Sequence, residues 1–223
     1  MKKIIMLGTV LVLGGFTGCV STKEITHSNL KSIKQSNFNS IIISKRKKPD
    51  FLATTVVNVQ FGMIGLAQQI SAGNKRIREN NVEDPAVYIA NELGADLGRT
   101  LGIEKIQISS SEAESTNVNK LSEQYAGTDL LLDVQTIGWQ STYYLSDLNN
   151  YRVVYNGVIR LIDTKDKVIL AQSHCSKKQD DKKNSPSYDQ LFENNAAILK
   201  AALKEHADSC IAEFKAKVAN TIL

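Results

Sequence analysis

The chain has 223 residues, a formal net charge of +4 at neutral pH and 42% hydrophobic residues. This length and composition fit one globular domain with a sizeable core. The positive excess is too small to predict nucleic-acid binding or a polybasic membrane patch, because both need a strongly basic surface. We therefore expect a mixed, solvated surface and no nucleic-acid partner.

Residues 1–18 have the layout of a secretory signal peptide. A short basic start, Met1-Lys2-Lys3, precedes a nearly all-apolar stretch from Ile4 to Leu13, and small residues then lead to Cys19. The apolar stretch is too short to span a bilayer as a permanent helix. We predict that residues 1–18 are removed as a signal peptide.

The run Phe16-Thr17-Gly18-Cys19 resembles the lipobox of bacterial lipoproteins. The resemblance implies that Cys19 starts the mature chain and carries several acyl chains such as palmitate, enough for stable membrane attachment. Val20 stands where an aspartate marks inner-membrane retention in that family, so the resemblance implies an outer-membrane location with the domain facing the periplasm. The alternative is an ordinary cleaved signal with a chance cysteine near its end.

The first part of the mature chain divides into a tether and a strand. Residues 19–38 are polar and show no periodicity, which predicts a lipidated flexible tether. A single domain is expected over residues 39–223. The β-branched run Ile41-Ile42-Ile43 predicts a short buried strand, and a charged loop over residues 45–50 ends it.

No charged residue occurs from Phe51 to Asn74, and residues 51–80 have the character of an insertion. One interpretation is a strand or loop leading into a helix that packs on the core. The other is a surface that contacts lipid, a partner or another copy of the chain, because an uncharged exposed patch usually marks an interface. The candidate interface residues in this segment are Phe61, Gly62, Met63, Gly65 and Leu66.

A helix is predicted from Pro85 to about Leu101, with an apolar stripe at four-residue spacing. Gly94 and Gly98 lie beside that stripe. Because each interior glycine costs a helix about 1 kcal/mol relative to alanine, we expect a compensating contact. Close packing against the sheet is one explanation. Pairing with a second helix is the other, and it makes both glycines candidate interface residues.

The rest of the chain predicts a mixed sheet with flanking helices. A strand over 104–109 and a helix over 116–126 precede three strands that begin near residues 130, 151 and 167 and form an antiparallel meander. A long helix follows from about residue 188 to residue 218. We predict an α+β fold with a mixed sheet, helices packed on one face and a long C-terminal helix.

The predicted meander is similar to a pattern found in envelope lipoproteins. Residues 127–134 read Gly-Thr-Asp-Leu-Leu-Leu-Asp-Val, residues 151–163 form a long strand ending in Leu-Ile-Asp, and residues 167–171 read Lys-Val-Ile-Leu-Ala. This block resembles the periplasmic domains of lipoproteins related to the curli-secretion lipoprotein, the amino-terminal domain of TolB, penicillin-binding-protein activators and auxiliary lipoproteins of lipid-transporting ABC systems.

Two cysteines remain once Cys19 is assigned to the lipid. Cys175 ends a predicted strand and Cys210 lies in the C-terminal helix. An even number of cysteines in an oxidising compartment predicts a disulfide. The competing metal site, built on His174 and Cys175, lacks a second ligand pair at suitable spacing.

We find no nucleophile elbow, phosphate-binding loop or zinc-binding helix sequence. Asp129 and Asp133 share a strand face but lie about 13 Å apart at strand spacing. They cannot share a proton, and we expect solvent-facing or turn roles for both. The aromatic residues Trp139, Tyr143 and Tyr144 either cap the core or contact a glycan or protein.

The sequence thus predicts a non-enzymatic outer-membrane lipoprotein that acts as a docking, assembly or transport-accessory factor in the cell envelope. We expect no cofactor or metal, a membrane contact through the lipid on Cys19, and an envelope protein as partner. The alternative is a ring- or pore-forming oligomer that uses residues 51–74 as its contact with other copies or with the membrane. A hydrolase is a third hypothesis, and it would need the fold to bring together a nucleophile and a base from serine, aspartate and histidine residues that no motif surrounds.

Overall fold

The computed structural model describes residues 37–219, so the predicted signal peptide, Cys19 and most of the predicted tether lie outside the described residues. None of the described helices combines the length and the apolar character needed to cross a membrane. In chain order the elements are β1 (Ser40–Lys45), β2 (Phe51–Ala53), α1 (Val56–Gln60), α2 (Gly62–Glu79), α3 (Pro85–Leu101), β3 (Lys105–Glu112), α4 (Val118–Gln124), β4 (Leu130–Tyr144), β5 (Asp147–Asp163), β6 (Val168–Lys178) and α5 (Tyr188–Ala219).

The strands form one mixed sheet in the order β3-β1-β4-β5-β6, and the short β2 pairs with the far end of β4. β1 runs parallel to both β3 and β4. β4, β5 and β6 form an antiparallel meander, as the alternating sequence pattern predicts. The predicted α+β class, the mixed sheet and the long C-terminal helix are confirmed.

The main core lies between the sheet and helices α3 and α5. Alternate residues of β4 and β5 enter it because side chains of a strand alternate between two faces. These inward residues are Leu130, Leu132, Val134, Val153, Tyr155, Ile159 and Leu161. The short helix α4 covers part of the opposite face, where Leu121, Tyr125, Leu131 and Ile162 form a second, smaller cluster. Polar residues of β4 near Leu131 are therefore shielded from solvent as well.

Helix α3 begins and ends as its sequence predicts. The side chain of Asp84 accepts a hydrogen bond from Ala86 N at the N-cap, and Gly102 takes the left-handed conformation at the C-cap. A Cβ on Gly94 would lie 2.7 Å from Ile43 Cδ1, and one on Gly98 would lie 2.4 Å from Ile106 Cδ1. Both glycines thus bring α3 close to the sheet. They are buried and unavailable to a second helix, so their assignment as interface residues is wrong.

Helix α5 is interrupted, although the sequence predicts a continuous helix. Asn194, Asn195 and Ala196 all have positive φ angles between 50° and 59°, and a bend separates a short first part from a long second part. Asparagine tolerates the left-handed region better than most residues, which explains why the break falls at this pair. Ala196 is fully buried, so packing holds the unfavourable backbone in place.

The predicted disulfide between Cys175 and Cys210 is present in the structure, with the two Cα atoms 5.6 Å apart. It joins β6, which is at one edge of the sheet, to the second part of α5. Because the two cysteines are 35 residues apart in sequence, the bond closes a long loop and restricts the unfolded chain. It therefore fixes the C-terminal helix to the sheet.

Candidate functional site

The uncharged segment that begins at Phe51 divides into a buried part and an exposed part. In β2, Phe51 and Ala53 are buried and pair with β4, and in α2 Gly73 packs against the backbone of β2. Helix α1 and the first two turns of α2 instead carry a row of exposed apolar side chains. We call this surface the apolar face, formed by Val57, Val59, Phe61, Met63, Ile64 and Leu66.

The local backbone explains why these side chains point outward. Thr55 caps α1 by accepting a hydrogen bond from Asn58 N at 3.3 Å. Gly62 has a φ of 53°, which allows the turn between α1 and α2. A Cβ on Gly65 would lie 1.7 Å from Asn58 O, so only glycine lets the two helices pack this closely. No residue of α1 is buried, and the larger apolar side chains of both helices are left in solvent.

The apolar face lies far from the point where the tether enters the domain. The start of β1 pairs with the start of β4, with Ile41 opposite Leu130. Helix α1 follows β2, which ends opposite Ser141 near the other end of β4. At ~3.3 Å per strand residue, these two positions on β4 are about 35 Å apart. The first described residues and the apolar face are thus at opposite ends of the sheet.

Two of the three aromatic candidates belong to the core. Trp139 is buried, its Nε1 donates to Pro49 O at 3.0 Å, and its ring packs edge-on against Phe51. Tyr144 is also buried, and its hydroxyl donates to Gln179 O at 3.1 Å. Their assignment as interface residues is therefore wrong. Tyr143 is only half-buried and packs edge-on against another tyrosine of the sheet.

Asp133 is 1% exposed and is the centre of a buried ion cluster that the sequence analysis missed. Its Oδ1 accepts hydrogen bonds from Ser44 Oγ at 2.6 Å and Arg46 Nε at 2.7 Å, and its Oδ2 accepts from Arg160 Nε at 3.0 Å. Burial raises the pKa of Asp133, but Arg46, Arg160 and Ser44 outweigh it and hold the pKa below its ordinary value. The predicted solvent-facing role is wrong for Asp133.

Asp129 does not pair with Asp133. Its carboxylate accepts hydrogen bonds from the backbone N of Asn39 at 2.8 Å and from the backbone N and the hydroxyl of Ser40, both at 3.1 Å. These contacts fix the start of β1 to the start of β4. Asp129 therefore has a structural role at the end of the sheet where the tether enters.

A second buried polar group links α3 to the sheet. Thr136 donates to Asp84 Oδ1, and the hydroxyls of Thr136 and Tyr155 are hydrogen-bonded at 3.2 Å. Burial raises the pKa of Asp84 despite the hydrogen bonds from Thr136 and Ala86. Burial likewise raises the pKa of Tyr155, which remains protonated at neutral pH.

The two described histidines do not form a catalytic pair. His174 is exposed and contacts Gln172, while His206 is buried with Nε2 3.1 Å from Val153 O. Neither ring is hydrogen-bonded to a serine, cysteine or carboxylate, which nucleophilic catalysis would need. Within residues 37–219, no three histidine, cysteine, aspartate or glutamate side chains are grouped to hold a metal ion.

No protein-family model and no curated protein sequence matches this chain. Among solved structures, the chain is similar to the hypothetical protein CT253 from Chlamydia trachomatis, with 9% identity, a TM-score of 0.38, and coverage of 81% of this chain and 98% of that one. It is similar to a PelC dodecamer from Paraburkholderia phytofirmans, with 13% identity, a TM-score of 0.35 and coverage of 81% and 87%. It is also similar to lipoprotein GNA1162 from Neisseria meningitidis, with 14% identity, a TM-score of 0.28, and coverage of 77% of this chain and 99% of that one. Alignments this weak identify no function.

Proposed function

We propose that this protein is a non-enzymatic lipoprotein of the outer membrane, anchored through acylated Cys19, which docks an envelope protein as an assembly or transport-accessory factor. The lipobox-like sequence supports the anchor, and the Cys175–Cys210 disulfide suits an oxidising compartment. The domain acts by binding, and the docking site is the apolar face.

The apolar face is the observation that carries this proposal. Six large apolar side chains between Val57 and Leu66 are exposed, with Met63 at 83% and Ile64 at 69% exposure. A concentration of exposed apolar side chains in one short segment is typical of interaction sites. Burying one such side chain is worth about 1.5–3 kcal/mol, so a few of them can support a stable contact. Because the face lies at the end of the sheet opposite the start of β1, a partner can contact it without displacing the segment that leads to Cys19.

The test places a photo-crosslinking residue at Met63 or at Ile108 in the lipidated protein in living cells. Ile108 is 64% exposed on the edge strand β3 and is therefore the matched control. We expect an adduct of one discrete added mass from position 63 and none from position 108. A charge in the face, Ile64→Lys, should abolish the adduct, whereas Ile108→Lys should not. No adduct, or equal adducts from both positions, would contradict the docking function.

The second candidate function is a ring- or pore-forming oligomer in which the apolar face contacts another copy of this chain. The absence of charge from residue 51 to residue 74 favours it, because two identical uncharged faces meet without like-charge repulsion. Native mass spectrometry of the detergent-extracted protein separates the two functions. A closed multimer that dissociates with Ile64→Lys, and a crosslinked adduct of twice the chain mass, would replace the docking function with this one.

Insertion of the same face into the bilayer is a further outcome of these tests. Eighteen residue steps separate Cys19 from residue 37, and at ~3.5 Å per residue they reach at most about 60 Å. The tether is thus long enough for the face to turn toward the membrane, but it would have to cross most of the domain. Membrane contact predicts that position 63 crosslinks to lipid and gives no protein adduct.

A further inference from the structure

A cavity of about 360 Å³ lies between the start of α3 and the second part of α5. This volume is within the ~300–1,000 Å³ range of small-molecule sites. Its apolar walls include Val82, Pro85 and Leu203, and polar groups of both signs line it as well. Apolar walls with a few convergent polar groups are typical of a ligand site.

One oxygen of Asp84 lacks a hydrogen-bond donor. Asp84 lines the cavity and is 6% exposed. Its Oδ1 accepts from Ala86 N at 3.0 Å and from the hydroxyl of Thr136, but no donor within residues 37–219 reaches Oδ2. Oδ2 is not among the enclosed, unpaired polar atoms of the described residues, so it keeps some contact with solvent and can accept a hydrogen bond from a molecule in the cavity. A bound ammonium group would also offset the burial that raises the pKa of Asp84.

Lys200 supplies the opposite charge. Its neighbour one turn later, Lys204, is neutralised by Asp208 at 2.8 Å and also donates to the hydroxyl of Tyr88 at 3.1 Å. Lys200 has no carboxylate partner in the described part of the chain. The side-chain oxygen of Asn195 accepts from Lys200 Nζ at 3.1 Å and so positions it without compensating its charge. The charge of Lys200 is therefore available to an anionic group.

The rim of the cavity has an unusual backbone. Asn81 lines the cavity with a φ of 48°, and α5 is broken by three left-handed residues just before Lys200. The side-chain nitrogen of Asn195 donates to Asn80 O at 2.9 Å and thereby joins the two turns. Left-handed backbone at non-glycine residues persists where surrounding contacts hold it, and such positions cluster at binding sites. The backbone segments that carry Asp84 and Lys200 are therefore held in fixed positions relative to each other.

We propose that this cavity binds a small zwitterion with an apolar body, such as a short peptide with free termini. The ammonium group pairs with Asp84 Oδ2 and the carboxylate pairs with Lys200 Nζ, while the apolar side chain lies against Val82 and Leu203. Glu83, which is exposed and also lines the cavity, adds negative potential for the ammonium group. This binding depends neither on acylation of Cys19 nor on the apolar face, so it can fail or succeed independently of the docking function.

The test uses isothermal titration calorimetry on the purified full chain in detergent. The probes are leucine, Ala-Leu and Ala-Ala-Leu, and this series measures which peptide length spans the two charged side chains. Each probe is also tested with its amine acetylated and with its carboxylate converted to an amide, which removes one charge at a time. We expect at least one free form to bind and both of its blocked forms to bind at least tenfold more weakly. No binding by any free form, or equal binding by the blocked forms, would overturn the proposal.

Two variants assign the two ends. Lys200→Gln should weaken the free form at least tenfold and remove the difference between acid and amide. Asp84→Asn should also weaken binding of the free form at least tenfold and should remove the difference between the free and the N-acetylated peptide. Asparagine still caps the helix, so the fold is preserved. Lys75→Gln, at an exposed lysine outside the cavity, is the matched control and should leave the affinity unchanged. Unchanged affinity in the first two variants, or equal weakening in the control, would reject the site.

Discussion

Asp133 and Arg160 lie directly opposite each other on β4 and β5, and an ion pair joins them in the interior of the protein. Arg46, 87 residues earlier in the chain, binds the same carboxylate, so one aspartate compensates two guanidinium groups. The two arginines also donate to the backbone oxygens of Ser115 and Thr116, each at 2.7 Å. The cluster therefore connects β1, β4, β5 and the loop that precedes α4.

Removing the carboxylate should be strongly destabilising. Asp133→Asn leaves two buried arginines without a counter-charge, and breaking a buried ion pair in this way costs about 3–5 kcal/mol of unfolding free energy. Urea denaturation measures the loss. The control is Glu123→Gln, which removes an exposed pair with Lys167 and should change stability too little to resolve. Equal, small effects in the two variants would show that the cluster does not stabilise the fold.

The pH dependence of this effect follows from the direction of the pKa shift. The pKa of Asp133 is lower in the folded protein than in the unfolded chain, where it is about 3.9. Its stabilisation is therefore complete above pH ~4 and is lost as the pH falls through the folded pKa. We expect the difference between wild type and Asp133→Asn to shrink below pH ~4. A difference that stays constant from about pH 6 to about pH 3 would contradict the assignment.

Asp84 should give the opposite pH dependence, because burial raises its pKa. Its ionised form is disfavoured by folding, so wild type loses stability as the pH rises from about 3.9 to the folded pKa. Asp84→Asn carries no such charge. We expect its stability relative to wild type to increase over this range in the same denaturation series, and a relative decrease would contradict the direction of the shift.

Much of the fold could be predicted because local patterns determine it. The two-residue alternation in β5 places Val153 and Tyr155 in the core, and the spacing of apolar residues in α3 marks its buried stripe. The burial of Asp133 could not be predicted locally, because it depends on Arg46, which only the parallel pairing of β1 with β4 brings near. A strand as short as β2 likewise shows no alternation to detect.

The candidate apolar face was predicted only in part. Of the interface candidates that the sequence indicates in residues 51–74, Phe61, Met63 and Leu66 are exposed. Gly65 is buried, so its assignment as an interface residue is wrong, because tertiary packing decides which positions reach solvent. Gly73 brings the end of α2 against β2, whereas Gly65 brings α1 against α2 and leaves Met63 and Ile64 in solvent. No sequence pattern distinguishes two glycines with such different neighbours.

Gly73 should be intolerant of a side chain. A Cβ at this position would lie 2.1 Å from Phe51 O, which is backbone and cannot rotate away. We expect Gly73→Ala to destabilise the protein by about 1–3 kcal/mol through overpacking, despite the better helix propensity of alanine. Gly138→Ala, where a Cβ meets nothing within 4 Å, should be neutral or stabilising in the same thermal-unfolding measurement. Equal effects of the two substitutions would argue against the close contact between α2 and β2.

The disulfide should contribute to stability in the oxidised protein. Replacing both Cys175 and Cys210 by serine removes a cross-link over 35 residues, worth about 3–4 kcal/mol in the chain-entropy model. Wild type treated with a reductant should match the double variant in denaturant midpoint, and the reductant should have no effect on the variant itself. A wild-type midpoint that does not respond to complete reduction would show that the bond is not stabilising.

The central claim is that Cys19 carries lipid and holds this domain in the envelope. The most direct measurement is mass spectrometry of the N-terminal peptide from the mature protein, with Cys19→Ser as the comparison. The account predicts that the mature chain begins at Cys19 with a diacylglyceryl group and an amide-linked acyl chain, and that the serine variant is unprocessed and unlipidated. A wild-type peptide that starts elsewhere, or that starts at Cys19 without lipid, would contradict it.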